Sequence, residues 1–210
     1  RLGNAASVRA SELVQAGAIG RVIQTIGLGP HRLGAKRPDW FYQPRYFGGI
    51  LNDIASHQID QFLHYTNSTQ AEIVSAQVGN FNHPQHPDLQ DFGDLTITSP
   101  QATGYIRVDW FTPDGLNTWG DVRLFLLGTD GYIEARKNTD LDGRAGANHL
   151  FVVDGQGTRY IDCTGTALPF GPQLIADIQN RTETAMRQAH CFLASELTLK
   201  AQAQARRISS

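Results

Sequence analysis

Three stretches in the middle and later parts of the chain constrain its fold more than any other feature. They are "LTITSPQATGYIRVDWF" (95–111), "DVRLFLLGTDGYIEARK" (121–137) and "HLFVVDGQGTRYIDC" (149–163). Each reads as two alternating runs folded back at a short turn, with "GTDG" and "DGQG" as the clearest turns. A further alternating run, "AEIVSAQVGNF" (71–81), precedes them. Strands joined this closely pair antiparallel, because a parallel neighbour needs a crossover of about a dozen residues or more. The sheet is therefore expected to be antiparallel or mixed, not a series of βαβ units.

Helical patterns flank the strands. Residues 5–16 read as a short helix stopped by Gly17, and "RVIQTIGLG" (21–29) as a strand. Residues 30–49 mix prolines, aromatics and cations without a period, as an ordered loop does, and "HPQHPDLQDFGD" (83–94) is a turn-rich insertion whose His83 and His86 receive no role. Near the end, Asn180 and Glu183 match the N-cap and N3 positions of a capping box. Met186, Ala189, Leu193 and Leu197 then mark one helical face, and "LKAQAQARR" (199–207) carries the helix to a cationic end. The expected fold class is α+β, with helices gathered against one open sheet.

With 210 residues, 40% of them hydrophobic, the chain has material for one sizeable core. Its 18 Lys and Arg against 20 Asp and Glu leave no cationic footprint for nucleic acid or anionic lipid. No apolar run approaches the ~20 residues of a bilayer span. The first residue is Arg, and the opening lacks the apolar core of an export signal. Cys163 and Cys191 have no metal-ligand spacing and read as two buried thiols.

The chemistry is concentrated in "GGILNDIASHQIDQF" (48–62). On a helix turning about 100° per residue, Asp53, His57, Asp60 and His64 fall within a sector of about 60°. Leu51, Ala55, Ile59 and Phe62 occupy the opposite side. A polar stripe of this kind is also what a solvated helix face carries. Short Asp and His side chains, placed after a glycine pair and an aromatic loop, also suit proton transfer: a carboxylate one turn from an imidazole raises its basicity. A metal is not expected, since the HExxH spacing is missing.

Four features together resemble the C-terminal domain of the Gfo/Idh/MocA family of NAD(P)-dependent oxidoreductases. They are "AGAIGRVIQ" (16–24), the stretch "RPDWFYQPRYFGGILNDIASHQIDQFLHYTN" (37–67) with its D-x-x-x-H-x-x-D pattern, the strand-rich middle, and the closing "FGPQLIADIQNR…AMRQAHCFLASELTLKAQ". The resemblance spans essentially residues 1–210, which it identifies as a substrate-binding and oligomerisation domain lacking its N-terminal dinucleotide-binding half. It implies an open, mostly antiparallel sheet with helices on one face and an oligomer interface, dimeric or tetrameric, on the other.

The resemblance also implies site roles. His57 is the acid/base and Asp53 lines the same pocket, both touching substrate, while Asp60 orients or supports the helix. His31, Trp40, Tyr42, Arg45 and His149 are candidate substrate contacts, with Arg37 a further shaper of the loop. Ordinary loop or structural roles remain open for His31 and His149. His190 is expected to pack or hydrogen-bond on its helix flank. The implied substrate is a sugar, polyol or related hydroxylated metabolite, and the implied cofactor NAD or NADP, held by the longer protein and not by this chain. The implied location is the cytoplasm, without nucleic-acid or membrane partners. Related chemistry with transient NAD use (epimerisation, elimination, glycoside cleavage) and a non-enzymatic dimerisation or ligand-binding role are the alternatives.

Two departures stand out. No G-x-G-x-x-G turn is present, since Gly27-Leu28-Gly29 runs into Pro30-His31-Arg32-Leu33. None of Lys36, Lys137 or Lys200 lies in the family's E-K-P setting. Alone, the chain is expected to be inactive in hydride transfer.

Overall fold

The computed structural model describes residues 3–34 and 36–208. The chain begins with helix α1 (Ala5–Gln15), strand β1 (Val22–Pro30), a 3-10 turn at Asp39–Tyr42 and the short helix α2 (Pro44–Phe47). Helix α3 (Ser56–Tyr65) follows a π-helical turn at Leu51–Ala55. Seven strands come next: β2 (Glu72–Gly79), β3 (Phe92–Ser99), β4 (Ala102–Asp109), β5 (Arg123–Gly128), β6 (Gly131–Arg136), β7 (His149–Asp154) and β8 (Gly157–Ile161). Helices α4 (Phe170–Asn180) and α5 (Gln188–Gln204) and strand β9 (Arg206–Arg207) close the chain.

All nine of these strands join one sheet in the order β8-β7-β6-β5-β1-β4-β3-β2-β9. The three expected hairpins are present, β3–β4, β5–β6 and β7–β8. Parallel pairing occurs between β1 and β4 and between β2 and β9, so the sheet is mixed and open.

Alternation assigns the two faces. In β4, Ala102, Gly104, Ile106 and Val108 are buried while Thr103, Tyr105 and Arg107 are half-exposed. The buried face carries the helices. Ile54, Ile59, Phe62 and Leu63 pack on Leu95, Ile97, Ile106 and Val108, joined by Leu197 and Ala201 from α5. Ala6 and Ala10 of α1 pack on Leu124, Leu126, Ile133, Leu150 and Val152 in an adjoining cluster. Fully burying a side chain such as Phe62 contributes about 1.5–3 kcal/mol. The opposite face has no helix; it displays Leu127, Tyr132 and Tyr160, each at least 40% exposed.

Glycines on β1 set the depth of α3. A Cβ on Gly27 would lie 2.8 Å from Gln58 Cγ, and one on Gly29 would lie 2.9 Å from Gln58 Nε2 and 3.0 Å from Ile54 Cγ2. The Gly-Leu-Gly of the sequence is thus mid-strand packing surface, with no turn to hold a phosphate.

Four expectations are corrected. The helix expected to carry Asp53, His57, Asp60 and His64 is not α-helical throughout, because a wider π turn occupies Leu51–Ala55. Asn180 does not open a helix: it ends α4, and its amide donates to the Ala176 carbonyl. Arg181 then adopts a left-handed backbone, and Glu183 accepts from the Gln188 N–H at 3.1 Å, capping α5 from outside. Arg206 and Arg207 leave the helix to pair with Gln77 and Val78 at the sheet edge. Cys163 is buried, but Cys191 is only partly so; both are free thiols. Among the described residues no helix is long and apolar enough to cross a membrane.

Candidate active site

Several elements end close together at one end of the two central strands of the sheet. Beta strands β1 and β4 run parallel and finish side by side at Pro30 and Asp109. The loops leaving them carry His31, Arg37, Trp110 and Trp119. A Cβ on Gly29 would come 3.0 Å from Ile54, so the end of β1 lies directly under the π turn that holds Asp53.

The entry to this turn is capped from a distance. Gly48 and Gly49 have φ of +76° and +95°, a region that favours glycine, and a Cβ on Gly49 would meet the Gln202 amide at 2.3 Å. Gln90 Oε1 accepts from the Ile50 N–H at 3.0 Å, and Gln202 Oε1 from the Leu51 N–H at 3.1 Å. Two glutamines from distant elements therefore satisfy donors that a local Ser or Asp cap would ordinarily serve. π turns recur at functional sites.

The polar stripe divides into two halves. Asp60 Oδ1 receives His190 Nε2 at 2.5 Å, with both side chains largely buried, which ties α3 to α5. His64 Nε2 lies 2.9 Å from Ser11 Oγ, which ties α3 to α1. Asp53 and His57 instead have exposed edges and no side-chain hydrogen bond among the described residues. Their polar atoms are available to a ligand.

Protein packed around the other sides of these two groups shapes their charge. Burial pushes the Asp53 carboxyl above its ordinary value, and Arg37, His31 and His57 act in the opposite sense. Burial pushes the His57 imidazole below its ordinary value, and among the opposing influences are Asp60 and Asp53. Neutral imidazole, the form that accepts a proton, is thereby favoured near neutral pH. His31 sends Nδ1 to the Gly29 carbonyl at 3.1 Å; a carbonyl only accepts, so Nδ1 carries the proton and Nε2 stays free.

Around the mouth, the Arg37 guanidinium carbon lies 4.4 Å from the Phe41 ring, 5.1 Å from Trp110 and 5.0 Å from Trp119. Trp110 also meets His31 edge-on at 5.8 Å. The structure thus brings Asp53, His57, His31 and Arg37 together. Trp110 and Trp119 went unnoticed in the sequence, because only the return of a distant strand places them over Arg37.

Tyr42, Trp40, Arg45 and His149 have surroundings of their own. Tyr42 stacks on His86 at 3.6 Å in a separate groove of about 330 Å³ shared with Asp39, Gln43 and Asp88. Trp40 is 52% exposed, and Arg45 is exposed beside Tyr46. His149 is fully buried on β7, three strands from β1, with Nδ1 3.1 Å from Tyr160 Oη. The structure does not bring His149 to Asp53 and His57. Among the described residues no three His, Cys, Asp or Glu side chains are grouped to hold a metal ion.

An open mixed sheet with helices on one face, and an acid–imidazole pair beside the adjacent ends of the central strands β1 and β4, define an α+β domain. The profile of the GFO/IDH/MocA C-terminal domain matches residues 7–134, and the chain belongs to that family. A solved protein of Erwinia carotovora atroseptica SCRI1043 is 50% identical over 99% of this chain, with a TM-score of 0.96. KijD10, a 3-ketoreductase from Actinomadura kijaniata solved with NADP and TDP-benzene, is 14% identical over 99% of the chain, at a TM-score of 0.69. Aldose-aldose oxidoreductase from Caulobacter crescentus, solved with glycerol, is 16% identical over 97% of the chain, at a TM-score of 0.72. The last two establish likeness of fold. The chain spans 63% of the Erwinia protein and of KijD10, and 62% of the Caulobacter protein. No match was found among curated protein sequences.

Proposed function

We propose that this chain is the substrate-binding domain of an NAD(P)-dependent oxidoreductase acting on a sugar, polyol or related hydroxylated metabolite. The observation that carries this reading is the pair Asp53 and His57, which have no side-chain hydrogen bond among the described residues and are set near His31 and Arg37 at the end of β1 and the start of α3. Gly27 and Gly29 are covered by Gln58 and offer no phosphate-binding turn, so a dinucleotide cradle is assigned to the longer protein. The additional length found in the relatives is the natural source of that cradle. The nicotinamide, when bound there, supplies hydride exchange at the substrate carbon.

The work of this chain is proton handling and orientation. Neutral His57 takes the proton of the reacting hydroxyl, and gives it back to the carbonyl oxygen in the reverse direction. Asp53 stabilises the imidazolium as it forms. The free Nε2 of His31 accepts a hydrogen bond from a neighbouring substrate hydroxyl. Asp60, held by His190, keeps the helix in register below them.

The test uses the longer protein with its nucleotide-binding portion. His57→Ala is expected to lower kcat by roughly 10²–10⁴-fold while leaving cofactor affinity unchanged. Retention of kcat within about threefold of wild type would remove His57 from the chemistry. Product analysis addresses the transient-redox version, in which a sugar is cleaved or epimerised with no net NADH.

A further inference from the structure

Arg37 differs from the other arginines that are withdrawn from solvent. Arg9, Arg32, Arg107, Arg123, Arg136 and Arg159 are buried or half-buried, and each is ion-paired, with Glu12, Asp114, Asp109, Asp121, Glu134 and Asp154 respectively. Arg37 is also half-buried, yet no carboxylate lies within ion-pair distance of it among the described residues. Its Nε donates to the Leu33 carbonyl at 2.7 Å, leaving both Nη groups without an acceptor among the described residues.

The side chain is nevertheless fixed. Phe41, Trp110 and Trp119 surround the guanidinium within about 5 Å, and Gly34 lies against Trp119. Aromatic faces hold a guanidinium in place and remove water from around it, which strengthens whatever anion it meets. Trp110 links this cage to His31, and His31 continues from the strand end beneath Asp53. The fork therefore lies near the acid–base pair, close enough for the Arg37 charge to act on Asp53. Its planar N–H groups suit two oxygens of one oxyanion.

We infer that Arg37 recognises an oxyanion of the bound ligand, so that the site takes an acidic sugar or hydroxy acid through its carboxylate, or grips a phosphate of the dinucleotide. This rests on the functional reading above. A carboxylate and a phosphate present the same paired oxygens to the fork, and the experiment separates them.

Binding is measured calorimetrically on the longer protein, in a His57→Ala background, so that affinity is read whether or not His57 is the acid/base. The probes are three matched pairs: glucose with glucuronate, galactose with galacturonate, sorbitol with gluconate; NAD and NADP are titrated separately. If the oxyanion is the substrate's, an acid member binds more tightly than its neutral partner by roughly 10- to 100-fold, and Arg37→Gln abolishes that preference without changing cofactor affinity. If it is the cofactor's, Arg37→Gln weakens NAD or NADP binding by a similar factor and leaves the sugar series unchanged. Should Arg37→Gln fail to fold, Arg37→Lys carries the test: it keeps the charge but loses the fork, and weakens the same ligand by a smaller factor. A substitution that leaves every acid preference and both cofactor affinities as in the parent overturns the inference.

Discussion

At the scale of single residues, the site trades stability for chemistry. The Asp53 carboxyl is held above its ordinary value, so the fold favours its protonated form and its ionised form costs stability at neutral pH. The favourable contribution is complete below the unfolded value of about 3.9 and is lost as pH rises through the folded one. Asp53→Asn is therefore expected to raise Tm at pH 7, with the gain shrinking as the melt is repeated toward pH 4. A loss of Tm at pH 7 would mean that Asp53 is a net stabilising charge. His57 gives the complementary signature. Its imidazole is depressed below the ordinary value of about 6.5, so the acid limb of kcat/KM should fall below that pH and disappear in His57→Asn. A limb left unmoved by the substitution belongs to another group.

At the scale of elements, α3 is held by partners far away in sequence. Gln90 and Gln202 cap its entry, Asp60 and His190 join it to α5, and His64 and Ser11 join it to α1. The start of α5 is set in turn by Asp177. Its carboxylate accepts from Thr182 Oγ1 at 2.6 Å, Thr184 N at 2.9 Å, Thr184 Oγ1 at 2.7 Å and Ala185 N at 2.7 Å. These bonds, that from the Thr182 hydroxyl foremost, hold it far below the usual carboxylate range. Such a group stabilises above its unfolded value and loses that contribution as pH falls through the folded one. Asp177→Ala should lower Tm at pH 7, narrow the difference from wild type in strong acid, and open residues 182–187 to proteolysis. Equal cleavage of both proteins would show that the turn is held by other contacts.

For the whole molecule, the sheet face away from the described helices is the candidate surface for a second copy. Leu127 and Tyr132 are cross-strand partners on β5 and β6, and Phe151 and Tyr160 on β7 and β8, all on the side away from the helices. Exposed apolar side chains grouped on one sheet face mark a candidate interaction site. We expect at least a dimer through this face, measured as mass by light scattering, with Leu127→Arg shifting the protein to monomer while the helix-side site is undisturbed. Wild type that remains monomeric at high concentration would refute the interface.

Alternation and turn chemistry in residues 71–163 determined the strands, their hairpins and the two-faced sheet, because side-chain period and turn type are local properties of the chain. The D-x-x-x-H-x-x-D spacing likewise marked the helix that carries the proposed site. Local pattern could not choose among the members of the stripe: His190 and Ser11, 130 and 53 residues away from their partners, engage Asp60 and His64, while Asp53 and His57 have no side-chain hydrogen bond among the described residues. The π turn, the glutamine caps and the aromatic cage around Arg37 were equally hidden, since each is made by groups that meet only when β1, β4 and α5 have packed. His149, plausible by position, was removed from the site by three strand widths and a buried face. Periodicity specifies which way a side chain points along its own element; what it meets there is decided by the packing of elements distant in sequence.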